Sequence, residues 1–150
     1  MPPSSKIRLT VTGDATRGLI DTNIVVHLAA LDPPLLPDEM VVSAITLAEL
    51  SAGPHHTDDP AERARRTSVL QHTEATFDPL PFDAEAARAY GLVCAAVLAA
   101  GQTPRRRVAD LMIASIAAAN QLPLYTTNPS DFVGLDRLVK IVAVARPASP

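Results

Sequence analysis

Asp21, Glu49, Asp110 and Asp131 stand against apolar sequence, where a carboxylate has little structural reason to be. Asp21 ends the run Gly18-Leu19-Ile20, and Glu49 follows Ala44-Ile45-Thr46-Leu47-Ala48. Asp110 opens the most apolar helical pattern of the chain, and Asp131 comes shortly after Leu124-Tyr125-Thr126-Thr127-Asn128. A carboxylate beside buried apolar surface is costly unless a cation or hydrogen-bond donors compensate it. Several carboxylates brought together repel one another, and a hard divalent cation relieves that repulsion. Oxygen donors of this kind suit Mg2+ or Mn2+. Such an ion polarises a phosphoryl oxygen, activates water and stabilises a leaving oxygen, and phosphodiester hydrolysis uses all three functions.

Taken singly, each acid also has a structural reading. Asp21-Thr22-Asn23 offers caps for a first helix, Asp110 gains from the first turn of its own helix, and Asp131 can cap a short terminal one. Glu49, among apolar neighbours, is harder to dismiss, so the functional case rests on the set. No other constellation competes. His27, His55, His56 and His72 lack zinc spacing, and His55-His56 falls in a turn-like Gly/Pro/Thr/Asp stretch. No glycine-rich phosphate loop is present, and Cys94, the single cysteine, excludes an intrachain disulfide and reads as a small buried hydrophobe. Arg105-Arg106-Arg107, just before Asp110, reads either as a solvated helix start or loop or as a phosphate contact.

The elements that must position these residues follow from the pattern. The 150 residues, 47% hydrophobic but only 3% aromatic and without Trp, suit one folded domain with a Val/Leu/Ile/Ala core. A net charge of −3 does not advertise nucleic-acid binding, although a bound cation would meet part of a substrate's charge. No stretch is long and apolar enough for a membrane span, and no secretory h-region opens the chain, so a cytoplasmic protein is expected. Short β-branched runs predict strands over 18–20, 40–45, 122–126 and 139–144, with a weaker edge strand over 77–82. Longer Ala/Leu/Arg stretches predict helices over 23–30, 47–52, 60–73, 84–100 and 106–120, with Asp83 as a cap and Gly53 and Gly101 as stops. Strands alternating with helices make an α/β fold whose parallel sheet is sandwiched between helices. Ligands bind such sheets at the carboxyl ends of the strands, which gathers Asp21, Glu49 and Asp131 at one edge. Strand–helix alternation leaves the end that carries Asp110 open.

Four ordered blocks also carry a family resemblance. They are Leu19-Ile20-Asp21-Thr22-Asn23, the stretch from Ser43 through Glu49 to Gly53, Arg107-Val108-Ala109-Asp110-Leu111-Met112-Ile113-Ala114, and Leu124-Tyr125-Thr126-Thr127-Asn128-Pro129-Ser130-Asp131-Phe132. Together they resemble the signature blocks of PIN-domain ribonucleases, in particular the small VapC-like toxins of toxin–antitoxin pairs. The resemblance implies a PIN-like α/β/α sandwich and an endoribonuclease dependent on Mg2+ or Mn2+. It implies Asp21, Glu49, Asp110 and Asp131 as catalytic metal-binding carboxylates, with Thr126 and Asn128 as supporting polar residues. It further implies a homodimer, a cognate antitoxin that blocks the acidic cleft, and a place for Asp110 beside the other acids. The expected organisation is a loosely ordered leader over 1–17, a nuclease domain over 18–145 and a tail over 146–150. The leader departs from these toxins, which start close to the first strand. Two alternatives are a PIN-type nuclease of RNA maturation and a catalytically silent α/β module that binds a protein. An aspartyl-nucleophile phosphatase would need its second aspartate where Asn23 stands.

Overall fold

In the computed structural model, which describes residues 16–147, neighbouring strand residues feed opposite cores. Strands β1 (Arg17–Ile20), β2 (Glu39–Val41), β3 (Leu124–Thr126) and β4 (Ile141–Ala143) pair in parallel in the order β2-β1-β3-β4. Successive side chains on a strand point to opposite faces. Leu19, Val41 and Leu124 therefore enter one core, while Ile20, Val42 and Tyr125 enter the other. Helices α4 (Ala84–Ala99) and α5 (Val108–Ala119) cover the first face. Helices α1 (Thr22–Val26) and α3 (Pro60–Thr76) cover the second, and α2 (Ala44–Ala52) lends Ile45 to one and Leu50 to the other. This is the parallel α/β/α sandwich that the alternating pattern predicts.

α5 carries the largest share of the first core, burying Leu111, Ile113, Ala114, Ser115, Ile116 and Ala117. Its alanines let α4 pack closely, which is where the alanine-rich sequence is spent. Asp83 caps α4 by accepting from the Ala86 amide at 3.0 Å, and Gly101 follows α4 at φ +78°, a conformation that favours glycine. No helix among the described residues is long and apolar enough to cross a membrane.

Several expected boundaries differ. The helix expected over 23–30 ends at Val26 and gives way at His27 to a 3-10 turn, Leu28–Ala30. The β-branched run Ile24-Val25-Val26 is a poor helix propagator. The strand expected over 40–45 stops at Val41, because the Ser43 hydroxyl accepts from the Thr46 amide at 3.0 Å and starts α2. The weak strand over 77–82 is absent; Leu80 alone bridges to Ser43 in parallel, with Pro79 and Pro81 removing a donor on either side. Gly53 is no left-handed stop: at φ −49° it passes into the 3-10 turn Gly53–His56, where Pro54 lacks the amide that an α-helix would use. The helix expected from Arg106 starts at Val108, after a 3-10 turn over Pro104–Arg107. β1 begins one residue early, at Arg17, and Thr16 bonds the Asp38 carboxylate through its amide at 2.9 Å. The rest of the expected leader, including the alternation over 7–11, lies outside the described residues.

The strand order creates the site's position. From β1 the chain moves to β2 on one side and returns to β3 on the other, so the carboxyl ends of β1 and β3 flank a topological switch point. α5 enters β3 through a tight turn with Gln121 at φ +56°, and so runs back along the sheet. Its first turn, with Asp110, therefore lies at the carboxyl edge, which answers the question that alternation left open.

Gly18 is required by a close approach. A Cβ there would lie 2.4 Å from Tyr125 Cε1 and 2.7 Å from Tyr125 Cδ1. Gly18→Ala is expected to lower the unfolding free energy by about 1–3 kcal/mol through overpacking. Urea unfolding measures it, and an unchanged midpoint would mean that the ring moves aside freely.

Candidate active site

Asp21 directly follows β1 and is only 3% exposed. Its Oδ1 accepts from the Thr22 amide at 2.8 Å, and its Oδ2 accepts from the Thr126 hydroxyl at 2.9 Å. Thr126 Oγ1 in turn accepts from the Asn128 amide at 2.9 Å, which leaves its proton for Asp21. Burial pushes the Asp21 carboxyl above the ordinary range. The bonds from Thr126 and Thr22 pull it down, and the charges of Glu49 and Asp131 raise it again.

Glu49 lies on the second turn of α2, exposed to the cleft. Its Oε1 accepts from the Thr22 hydroxyl at 2.6 Å, and Thr22 Oγ1 lies 2.9 Å from Thr46 Oγ1. Thr22 gives its single proton to Glu49, so Thr46 is the donor in the second bond. Ser43 Oγ stands 3.4 Å from Thr46 Oγ1, which extends the hydroxyl chain to the end of β2. Asp110, half-buried in the first turn of α5, has its carboxyl pushed up to about 6. Burial is the main cause, followed by the charges of Asp21, Asp131 and Glu49, with Arg107 opposing. Asp131 sits in the 3-10 turn Pro129–Phe132 after β3, its Oδ1 3.6 Å from Arg107 Nη1.

All four acids thus lie at the carboxyl edge of the sheet, near enough for Asp21, Glu49 and Asp131 to act on Asp110 through their charges. Capping accounts for Asp21 alone; Asp110 and Asp131 make no side-chain capping bond. The arginine run divides. Arg107 turns inward and donates to the Ser130 carbonyl at 2.9 Å, whereas Arg105 and Arg106 are exposed without a hydrogen-bond partner among the described residues. Asn128 is half-buried, and its amide side chain is likewise unpaired among the described residues. Sequence reasoning misses the threonine chain behind Glu49, although Ser43-x-x-Thr46 has the spacing of a helix cap.

The donor chemistry fits a hard divalent ion. The oxygens come from carboxylates whose mutual repulsion such an ion would relieve, and Asp21 is already oriented by two donors. Among the described residues no three acidic, His or Cys side chains close around one point as a preformed cage. An open arrangement suits Mg2+, which keeps several waters and takes one or two carboxylates directly.

A sheet of this order, with acids after β1 and β3 and on the helices between, defines a PIN domain, and the family model of that name matches residues 18–138; the chain belongs to that family. It is 34% identical over 122 residues to Ribonuclease VapC5 of Mycobacterium tuberculosis (strain ATCC 25618 / H37Rv), across 79% of this chain and 87% of that protein. A crystal structure from Mycobacterium tuberculosis, of VapBC-5 in the VapBC family of toxin-antitoxin systems, matches with TM-score 0.75 and 31% identity. That match covers 87% of this chain and 99% of the other. FitAcB from Neisseria gonorrhoeae matches with TM-score 0.65 and 25% identity, covering 86% of this chain and 96% of that one.

The raised Asp110 carboxyl has a thermodynamic consequence. Its proton is held more tightly in the folded than in the unfolded chain, where a carboxyl titrates near about 4. As pH rises from there through about 6, the folded state carries the extra proton and loses stability, and the loss is complete above that window. Asp110→Asn is therefore expected to raise the thermal midpoint at pH 7 in chelator and to flatten its decline between pH 4 and 7. A lower midpoint for the variant at pH 7 would contradict this.

Proposed function

We propose that this chain is a metal-dependent endoribonuclease that hydrolyses RNA phosphodiesters and acts as a growth-inhibiting toxin held in check by a cognate antitoxin. The observation that carries the reading is the convergence of Asp21, Glu49, Asp110 and Asp131 at the switch point, in a chain that belongs to the PIN family. Likeness to Ribonuclease VapC5 supports ribonuclease chemistry, and likeness to VapBC-5 supports an antitoxin partner.

In this reading Asp21 and Asp131 hold Mg2+ or Mn2+ most directly, with Asp110 beside them. The bound ion supplies neutralisation of the phosphate charge and Lewis acidity toward the attacking water. Thr126 orients Asp21, and Asn128 stands ready to donate to a phosphate oxygen or water. Glu49, aligned by Thr22 and Thr46, orients a water or takes a second ion. Arg107 sits where it can meet a phosphate while damping the repulsion at Asp131. Arg105 and Arg106, on the outside of their turn, guide the backbone of the strand toward the acids. A homodimer is the proposed state, and Leu92 and Leu98, 63% and 62% exposed on α4, offer apolar surface for it.

RNA cleavage is expected with Mg2+ or Mn2+, to stop with chelator, and to fall more than about 100-fold in Asp21→Asn, beyond the loss typical of an outer-shell change. Electrophoresis of end-labelled RNA reads it. Cleavage that persists unchanged in the variant would overturn the mechanism.

A further inference from the structure

A cavity of about 240 Å³ opens beside the acidic cleft, and two arginines that the cleavage chemistry does not use line it. Thr22 and Glu49 contribute to its lining from the catalytic side, Arg65 and Arg66 from α3, and Val26 and Val69 add apolar surface. The guanidinium groups are held in place. Arg65 donates to Glu62 Oε1 through Nε at 3.0 Å and to Oε2 through Nη2 at 2.5 Å. Arg66 donates through Nε to Glu62 Oε2 at 2.7 Å and through Nη1 to the Gly53 carbonyl at 2.9 Å. These bonds hold the Glu62 carboxyl down to about 2, so Glu62 stays ionised and the trio keeps one net positive charge. Arg65 Nη1 and Arg66 Nη2 have no hydrogen-bond partner among the described residues.

α3 is itself anchored to the end of α2. Arg63 donates to the Pro54 carbonyl at 3.1 Å and to the Thr57 carbonyl at 2.6 Å, so the arginine pair sits on a fixed base. A planar guanidinium with unused donors matches a phosphate, and an anchored one gives up little freedom on binding. Glu49, an acid in the same lining, disfavours a ligand that is anionic throughout. It suits a ligand with a phosphate at one end and a neutral sugar or base at the other.

We propose that this cavity is a nucleotide subsite for the RNA strand, holding the residue next to the cleaved bond. Arg65 and Arg66 take its phosphate, Val26 and Val69 contact its base or sugar, and Glu49 marks the side facing the scissile phosphate. The inference rests on the ribonuclease reading and adds to it a place where the flanking strand is gripped. It also explains how a chain of net charge −3 can hold a polyanion beside four carboxylates: fixed cations stand to one side of the cleft.

The test measures binding of a mixed-sequence single-stranded RNA oligonucleotide in Mg2+, in an Asp21→Asn background that does not cut it. Replacing both arginines, Arg65→Gln with Arg66→Gln, is expected to weaken binding about ten-fold or more, the worth of one charge-assisted hydrogen bond. The dependence of log affinity on log salt should flatten by about 0.7 for each phosphate that is no longer neutralised. Arg65→Lys with Arg66→Lys should restore the salt dependence, which a purely structural role would not. Arg65→Gln alone guards against misfolding, since that guanidinium bonds only to Glu62 among the described residues, and it should weaken binding in the same direction. Unchanged affinity and salt dependence in the double Gln variant would overturn the subsite and leave the cavity to a protein ligand. Failure of the native chain to cleave RNA in Mg2+ would overturn the ribonuclease reading with it.

Discussion

Asp21 keeps a carboxylate almost wholly out of water at the end of a buried strand, and two donors hold it there: the Thr22 amide and the Thr126 hydroxyl. A buried carboxylate is tolerated only when its lone pairs are met, and meeting them fixes its direction. The bond from Thr126 also joins the ends of β1 and β3, which pair through their backbones one residue earlier. One hydrogen bond thus closes the sheet's carboxyl edge and aims the central acid. Glu49, Asp110 and Asp131 are placed around that fixed point, and each adds to the charge that the fold confines there.

That confinement works against the stability of the chain by itself. Burial and neighbouring carboxylates both push Asp110 upward, and Arg107 is the cation that opposes them there. At Asp110, half-buried on an otherwise apolar helix, an apolar residue would sit more comfortably. A local choice that disagrees with good packing is what a functional position would show. A hard cation would reconcile the arrangement, and it would supply the chemistry proposed for these residues.

Much of this is legible in residue order. The alternation of short β-branched runs with alanine-rich helices leads to a parallel sandwich, and the carboxyl-edge rule alone puts Asp21, Glu49 and Asp131 together. Asp110 resists, because its side of the sheet depends on the direction of α5, set by a turn at Gln121 that carries no glycine signal. The strand expected over 77–82 fails because Pro79 and Pro81 flank the residue that does pair, which limits pairing to one bridge. The division of the arginine run is also beyond the sequence: the 3-10 turn over Pro104–Arg107, not an α-helical phase, decides that Arg107 faces Asp131 and its neighbours face water. Arg65 and Arg66 look like ordinary partners of Glu62 on a solvated helix until α3 is seen to lie against the site.

The most direct measurement is calorimetric titration of Mn2+ into the protein and into Asp21→Asn under identical conditions. Confinement of the four carboxylates around a shared cation predicts saturable binding by the native chain that is abolished or greatly weakened in the variant. Absence of binding, or binding that Asp21→Asn leaves unaltered, would mean that the acids gather for some purpose other than holding a metal.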